Sequence, residues 1–143
     1  MIPIRGVVRV DEDHEIMYVE TSNDILEYYL WFIRREYWID LGTPMRGAHV
    51  TIASKEWHGV DWKIAKRLYD GKMVDMEYSP DIVRGGYTKG FIMFYLKVRS
   101  QDIEDIKKEL GIIDGERYRG LHLTVANSKN RPVKEYWPKM IEI

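Results

Sequence analysis

The octapeptide Gly47-Ala48-His49-Val50-Thr51-Ile52-Ala53-Ser54 returns as Gly120-Leu121-His122-Leu123-Thr124-Val125-Ala126-Asn127, so one pattern is written twice in a chain of 143 residues. In each copy His and Thr alternate with aliphatic residues, and an extended strand sends alternate side chains to opposite faces. One face of each strand is therefore apolar and suits a core, while the other carries an imidazole and a hydroxyl. Two such strands side by side present two imidazoles and two hydroxyls to one cleft. Packing alone gives no reason to repeat a polar pair on a strand, so the repetition points to chemistry.

Outward from these strands the chain alternates between the two regular periods. Arg5 to Val10 and Ile16 to Thr21 are β-rich and flank the acidic stretch Asp11-Glu12-Asp13-His14-Glu15, which predicts a hairpin. From the capping residues Thr21, Ser22 and Asn23 to about Trp38, the apolar residues Ile25, Leu26, Tyr29, Leu30, Phe32, Ile33 and Tyr37 recur at helical spacing, and Gly42 and Pro44 follow. A second helix is expected from about Asp61 to Tyr69 and a strand from Met73 to Tyr78. Pro80, Gly85, Gly86 and Gly90 then mark a loop, open to reading as a plain hairpin connection or as a flap over a site. Phe91 to Arg99 is expected as a strand, and Gln101 to Leu110 as a helix with acidic residues in its first turn and Lys107 and Lys108 in its last, as the helix dipole favours. Strand, helix and His strand thus occur in each half. The two histidines stand about half a chain apart, which suggests a duplication giving two lobes around a groove.

Composition narrows the function classes. A chain of this length is one domain, 1–143, able to bury a single core. Lys plus Arg is 22 and Asp plus Glu is 23, so the net charge of −1 offers no global attraction to long duplex nucleic acid or to an anionic membrane, and any basic site must be local. With no Cys, disulfides, thiol nucleophiles and zinc-thiolate sites are excluded. The longest apolar runs, Tyr28 to Ile33 and Phe91 to Leu96, are too short to span a membrane, and the first residues lack a signal peptide's apolar core. A cytoplasmic protein is the expectation.

A neutral imidazole accepts a proton and an imidazolium donates one, and an ordinary pKa near 6.5 lets both forms coexist at working pH. Two histidines on opposite sides of a bound phosphodiester can therefore serve as base and acid in one in-line displacement, each worth roughly 10²–10⁴ in rate. A threonine two places along the strand lies about 6.6 Å further on the same face, where its hydroxyl can donate to a phosphate oxygen that gathers charge. This scheme uses no metal and no cofactor.

The two motifs His49-Val50-Thr51-Ile52 and His122-Leu123-Thr124-Val125 resemble the signature of the 2H phosphoesterase superfamily. The resemblance implies an α+β fold, bilobal and pseudo-symmetric, with antiparallel sheets around a central groove and flanking helices. It also implies metal-independent action on 2′,3′-cyclic phosphates or RNA-type linkages, with catalytic roles for His49, Thr51, His122 and Thr124. Within that superfamily, Tyr28-Tyr29-x-Trp31 through Arg35-Glu36-Tyr37-Trp38 is similar to the phage anti-CBASS nucleases, which destroy cyclic oligonucleotide messengers of bacterial immunity. That likeness would place the protein in the host cytoplasm and make a 3′–5′ linked cyclic oligonucleotide such as cGAMP its substrate.

Base recognition calls for aromatic surfaces and phosphate recognition for cations. Trp57 and Trp137, Tyr18 and Tyr95, and Lys97, Lys55 and Lys129 are the expected substrate-binding residues. Glu20 shares a strand face with Tyr18, as Lys97 does with Tyr95. Arg46, Arg117, Arg119 and Arg131 are further cations near the motifs, and the Asp11 to Glu15 cluster, which lacks a recognisable ligand spacing, is expected to be a plain acidic turn. Two other readings of the same groove remain. One is a 2′,3′-cyclic phosphodiesterase acting on RNA ends or small cyclic nucleotides; the other is a sponge that binds a cyclic nucleotide without cleaving it.

Overall fold

The structure, a computed structural model, describes residues 1–37, 44, 46–55, 60–85, 93–114 and 120–127. Its elements follow as β1 (Ile2–Asp11), β2 (Ile16–Glu20), α1 (Asp24–Tyr37), β3 (His49–Ser54), α2 (Trp62–Tyr69), β4 (Met73–Gly85), β5 (Met93–Arg99), α3 (Gln101–Leu110) and β6 (His122–Asn127). The six strands close in the order β1-β2-β3-β6-β5-β4, each neighbour antiparallel. The expected α+β class is what the structure shows. The same order of elements, two strands, a helix and a His strand, runs from β1 to β3 and, after α2, from β4 to β6.

Alternation makes one face of this sheet the core. In β1, Gly6, Val8 and Val10 are buried while Arg5 and Arg9 are exposed. Val8 pairs with Val19 and Val10 with Met17, and β3 and β6 continue that face with Val50, Ile52, Leu123 and Val125. These side chains join Leu26, Tyr29 and Ile33 of α1, Ala65 and Tyr69 of α2, and Ile103 and Ile106 of α3 in one cluster. Each large aliphatic residue fully buried there stabilises the fold by roughly 1.5–3 kcal/mol. At Gly6 a Cβ would sit 2.4 Å from Val19 Cγ1 and 2.7 Å from the Glu20 carbonyl oxygen, so β1 and β2 approach too closely there for any side chain.

The helix ends are satisfied by the residues that bound them. Asp61 accepts from Ile64 N–H to cap α2, and Ser100 accepts from Ile103 N–H at 3.2 Å to cap α3. Gly111, at φ 67°, closes α3 by donating to the Lys107 and Lys108 carbonyls. In α1, Asp24 and Glu27 occupy the first turn and Arg34 and Arg35 the last.

Two boundaries differ from expectation. β1 starts at Ile2 because Ile2 to Val7 pair with β4. β4 does not stop at Tyr78: it runs through Pro80 to Gly85, so the expected loop begins later than Pro80. Proline has no N–H for the ladder, and the register against β5 shifts between Tyr78 and Ile82 to step over it. The freed Pro80 carbonyl accepts from the Tyr29 hydroxyl at 3.1 Å, tying α1 to this strand. Trp38 and the residues 86–92 lie outside the described residues.

Candidate active site

β3 and β6 are neighbours, with Val50 opposite Leu123. Continuing that antiparallel register by one residue either way aligns His49 with Thr124 and Thr51 with His122. The two imidazoles then lie on a diagonal across that contact, a placement that in a regular ladder separates backbones by about 7–8 Å. The burial patterns of the two strands are identical, with His and Thr half-buried and the residues between them buried. All four side chains therefore project from the sheet face opposite the apolar core.

The strands outside this pair repeat one another. Tyr18 of β2 lies opposite Thr51, and Tyr95 of β5 lies opposite Thr124. In both ladders the register slips immediately beside the tyrosine, between Met17 and Tyr18 and between Phe94 and Tyr95. A bulge adds local twist, and here the two bulges fall at matching places beside the two tyrosines. The Tyr18 ring meets His49 edge-on at 5.6 Å between centroids, and the Tyr95 ring meets His122 at 5.3 Å.

A second repeated device fixes the imidazoles. His49 Nδ1 lies 2.8 Å from the Gly47 carbonyl oxygen and His122 Nδ1 lies 3.2 Å from that of Gly120. A carbonyl can only accept, so in each ring Nδ1 carries the hydrogen and Nε2 is left free for proton transfer. Those carbonyls point back along the strand because Gly47 and Gly120 both take positive φ, 72° and 98°. Around them Thr21 N–H donates to the Ala48 carbonyl and Val98 N–H to that of Leu121, each at 3.0 Å. The repeated glycine ahead of each His was thus a visible signal of how the ring is held.

Charge separates the two sides. Opposite His49 on β2 stands Glu20, whereas opposite His122 on β5 stands Lys97. Glu20 is 3.7 Å from Arg9 Nε, while Lys97 is exposed and has no carboxylate at ion-pair distance among the described residues. Burial pushes the His49 imidazole below its ordinary value, and the charges of Arg46 and His122 push the same way against the Gly47 hydrogen bond, which opposes them. His49 is consequently biased toward its neutral, proton-accepting form.

The structure thus brings Tyr18, Tyr95 and Lys97 to the histidine pair, as expected. Lys55 is not brought there: it is exposed beyond the end of β3, six residues and about 20 Å of strand from His49. Trp57, Trp137 and Lys129 lie outside the described residues, as do Arg117, Arg119, Arg131 and His58. On α1, Tyr28 and Trp31 are exposed, with the Arg35 guanidinium 5.1 Å from the Trp31 ring. The acidic stretch is the expected turn, where Asp11 accepts from the backbone N–H and ring Nδ1 of His14. Among the described residues no three His, Asp, Glu or Cys side chains gather as metal ligands. A separate cavity of about 660 Å³ opens over the β1–β4 seam, where Arg5 pairs with Asp75 and Arg99 with Glu77, each at 2.8 Å, and Asp102 accepts from the Asp75 N–H.

Comparison of the chain with protein-family models, with curated proteins and with solved structures finds no match in any of the three. The two His-x-Thr strands and their surroundings are therefore what the functional reading stands on. No helix among the described residues is long and apolar enough to cross a membrane.

Proposed function

We propose that the protein is a phosphodiesterase of the 2H type that cleaves 3′–5′ linked cyclic oligonucleotides without a metal, with His49 and His122 as the proton carriers. The observation that supports it is the pair of imidazoles on adjoining antiparallel strands that meet at Val50 and Leu123, each ring tethered through Nδ1 to a glycine carbonyl. In this reading the segments from β1 to β3 and from β4 to β6 are two lobes, and the groove between them holds the ligand.

A scissile phosphorus midway between the rings is reached from both sides. His49, kept neutral by its surroundings, takes the proton of the ribose 2′-OH, whose oxygen attacks phosphorus. His122, in its protonated form, gives its proton to the departing 5′-oxygen. The Thr51 and Thr124 hydroxyls donate to the non-bridging oxygens as charge accumulates on them. The ring opens to a product ending in a 2′,3′-cyclic phosphate and a 5′-hydroxyl. Water then opens the cyclic phosphate, with His122 as base and His49 as acid. Tyr18 and Tyr95 border the two sides of the groove and offer ring surface to a base, a contact typically worth about 1–3 kcal/mol. A cyclic oligonucleotide messenger would bring a base and a phosphate to each side of such a groove, and the likeness of the α1 sequence to the phage anti-CBASS nucleases favours counter-defence as the setting.

The test is incubation of the purified protein in EDTA with cyclic dinucleotides, cyclic trinucleotides and 2′,3′-cyclic nucleotides. Turnover of the cyclic oligonucleotides, abolished in His49→Ala and in His122→Ala, supports the proposal. Turnover confined to 2′,3′-cyclic nucleotides replaces it with the end-processing reading. Ligand recovered intact after denaturation indicates a sponge, and activity that EDTA removes overturns the metal-free mechanism.

A further inference from the structure

The repeat extends one residue further toward the N-terminus than the octapeptide: Arg46-Gly47 precedes the first motif and Arg119-Gly120 the second. Neither core packing nor the proton chemistry accounts for an arginine at both places. Arg46 stands third in a turn closed by the Gly47 N–H donating to the Pro44 carbonyl at 3.0 Å, and the reversal at Gly47 sets it beside the strand it introduces. Its side chain is only 31% exposed. The guanidinium carbon lies 5.4 Å from the centroid of the Tyr18 ring, the same ring that meets His49 edge-on, and its charge acts on His49. Its one carboxylate contact among the described residues is long, 3.4 Å from Nη1 to Asp11 Oδ2. That oxygen already takes the His14 ring at 2.9 Å. An arginine has five N–H donors in a planar fork suited to phosphate oxygens, and among the described residues most of these have no partner.

We propose that Arg46 is a phosphate-binding residue of the groove, its guanidinium steadied by Tyr18 and Asp11 so that its open edge takes a phosphate oxygen beside His49. A half-buried cation is poorly hydrated, and a charge-assisted bond to phosphate restores what burial removed. The site supplies locally the attraction for an anion that the overall charge of −1 does not. The proposal deepens the phosphodiesterase reading, on which it rests for the identity of the ligand, by naming the residue that senses substrate charge.

Inorganic phosphate is the probe, titrated into the intact protein while the His49 ring and the Arg46 Nε–H are followed by NMR. Phosphate is expected to move both signals together, with affinity at least about tenfold weaker in Arg46→Gln and intermediate in Arg46→Lys, which keeps the charge but loses the fork. Equal affinity in wild type and Arg46→Gln, with the Tyr18 and His49 signals of the free variant showing an intact fold, overturns the proposal. If Arg46→Gln does not fold, a Arg46→Lys variant that binds phosphate as tightly as wild type while having lost the Arg46-dependent shift at His49 overturns it equally. This readout needs no turnover. Phosphate binding that depends on Arg46 in a protein without phosphodiesterase activity separates the failure of one reading from the failure of the other.

Discussion

The flanks of His49 and of His122 agree in everything that aims a ring and differ in everything that sets its charge. Both rings are tethered to a glycine carbonyl two residues back, and both face a tyrosine brought in by a bulge at the same place in the ladder. Opposite the first stands Glu20, paired with Arg9, with Arg46 and Asp11 close by; opposite the second stands Lys97, which has no carboxylate in reach among the described residues. Under the proposed function, the shared part is what proton transfer would require of two groups working on one phosphorus. The unshared part is what a ligand with unlike ends, or one reaction needing unlike proton carriers, requires of the walls around them.

The sharpest test of the shared part is to remove one member at a time. His49→Ala and His122→Ala are each expected to lower kcat by about 10²–10⁴, and the double variant by little more than the worse single, because acid and base act in one displacement. Thr51→Val and Thr124→Val keep the β-branched shape and lose only the donor, at a cost of about 10²–10³ in kcat. Steady-state kinetics on the substrate identified in EDTA checks all five variants. Additive losses for the two histidines would show that they do not serve the same step.

The glycines give the comparison a structural form. Gly47→Ala and Gly120→Ala both force a side chain into the left-handed region, at about 1–2 kcal/mol each. At Gly120 a Cβ meets no atom of the described residues within 4 Å, but at Gly47 it would lie 2.7 Å from Asn23 Oδ1, the atom that accepts from Ala48 N–H at 2.8 Å. Gly47→Ala is therefore expected to be the more destabilising by about 1 kcal/mol or more, since the Asn23 bond must break or bend. Urea unfolding of the two variants measures the difference. Equal losses would mean that the Asn23 contact contributes nothing.

Much of this was legible in the chain before folding. Period-two alternation placed His49, Thr51, His122 and Thr124 on one face each, and helical spacing with caps placed α1, α2 and α3 within a few residues. Tyr18 and Tyr95 were visible as polar-face residues of their strands, and the structure adds that each faces a threonine of a His strand. What could not be read was pairing. That β3 adjoins β6, and so that His49 and His122 form a diagonal pair, depends on which strands of a sheet become neighbours, and alternation is blind to this. The bulges were hidden too, because Ile52 and Ala53, like Val125 and Ala126, are equally apolar whether or not the ladder skips one of them. Pro80 misled for a local reason: proline ordinarily ends a strand, and here a register shift carries the strand past it. Lys55 was chosen for nearness in sequence, a criterion that fails on a strand, where each residue adds about 3.3 Å.

The unlike residues opposite the histidines give a smaller effect. Lys97→Gln is expected to raise KM for an anionic substrate about three- to tenfold with kcat little changed, as loss of one exposed cation from a binding wall does. Glu20→Gln, whose carboxylate already neutralises Arg9, is expected to change KM by less than about twofold. Raising the salt concentration should shrink the Lys97 effect. A larger loss in Glu20→Gln than in Lys97→Gln would reverse the polarity assigned to the groove.

The smallest expected effect is the pH dependence that His49 contributes. Because burial, Arg46 and His122 lower its pKa in the folded protein below the ordinary value of 6.5, the unfolded chain binds more protons than the native one just below that value. Stability therefore rises with pH across the window between the folded and the unfolded pKa: the contribution is fully present above about 6.5 and is lost as pH falls through the folded value. Urea midpoints of the wild type should decline as pH is lowered from 7 toward 5, well above the range where carboxylates titrate, and His49→Gln should flatten that decline. The same shift places the acidic limb of the kcat/KM profile below about 6.5, since His49 keeps its accepting form to lower pH. A wild-type midpoint that does not fall across that range would remove the electrostatic reason for making His49 the base, and would leave the two imidazoles distinguished only by Glu20 and Lys97.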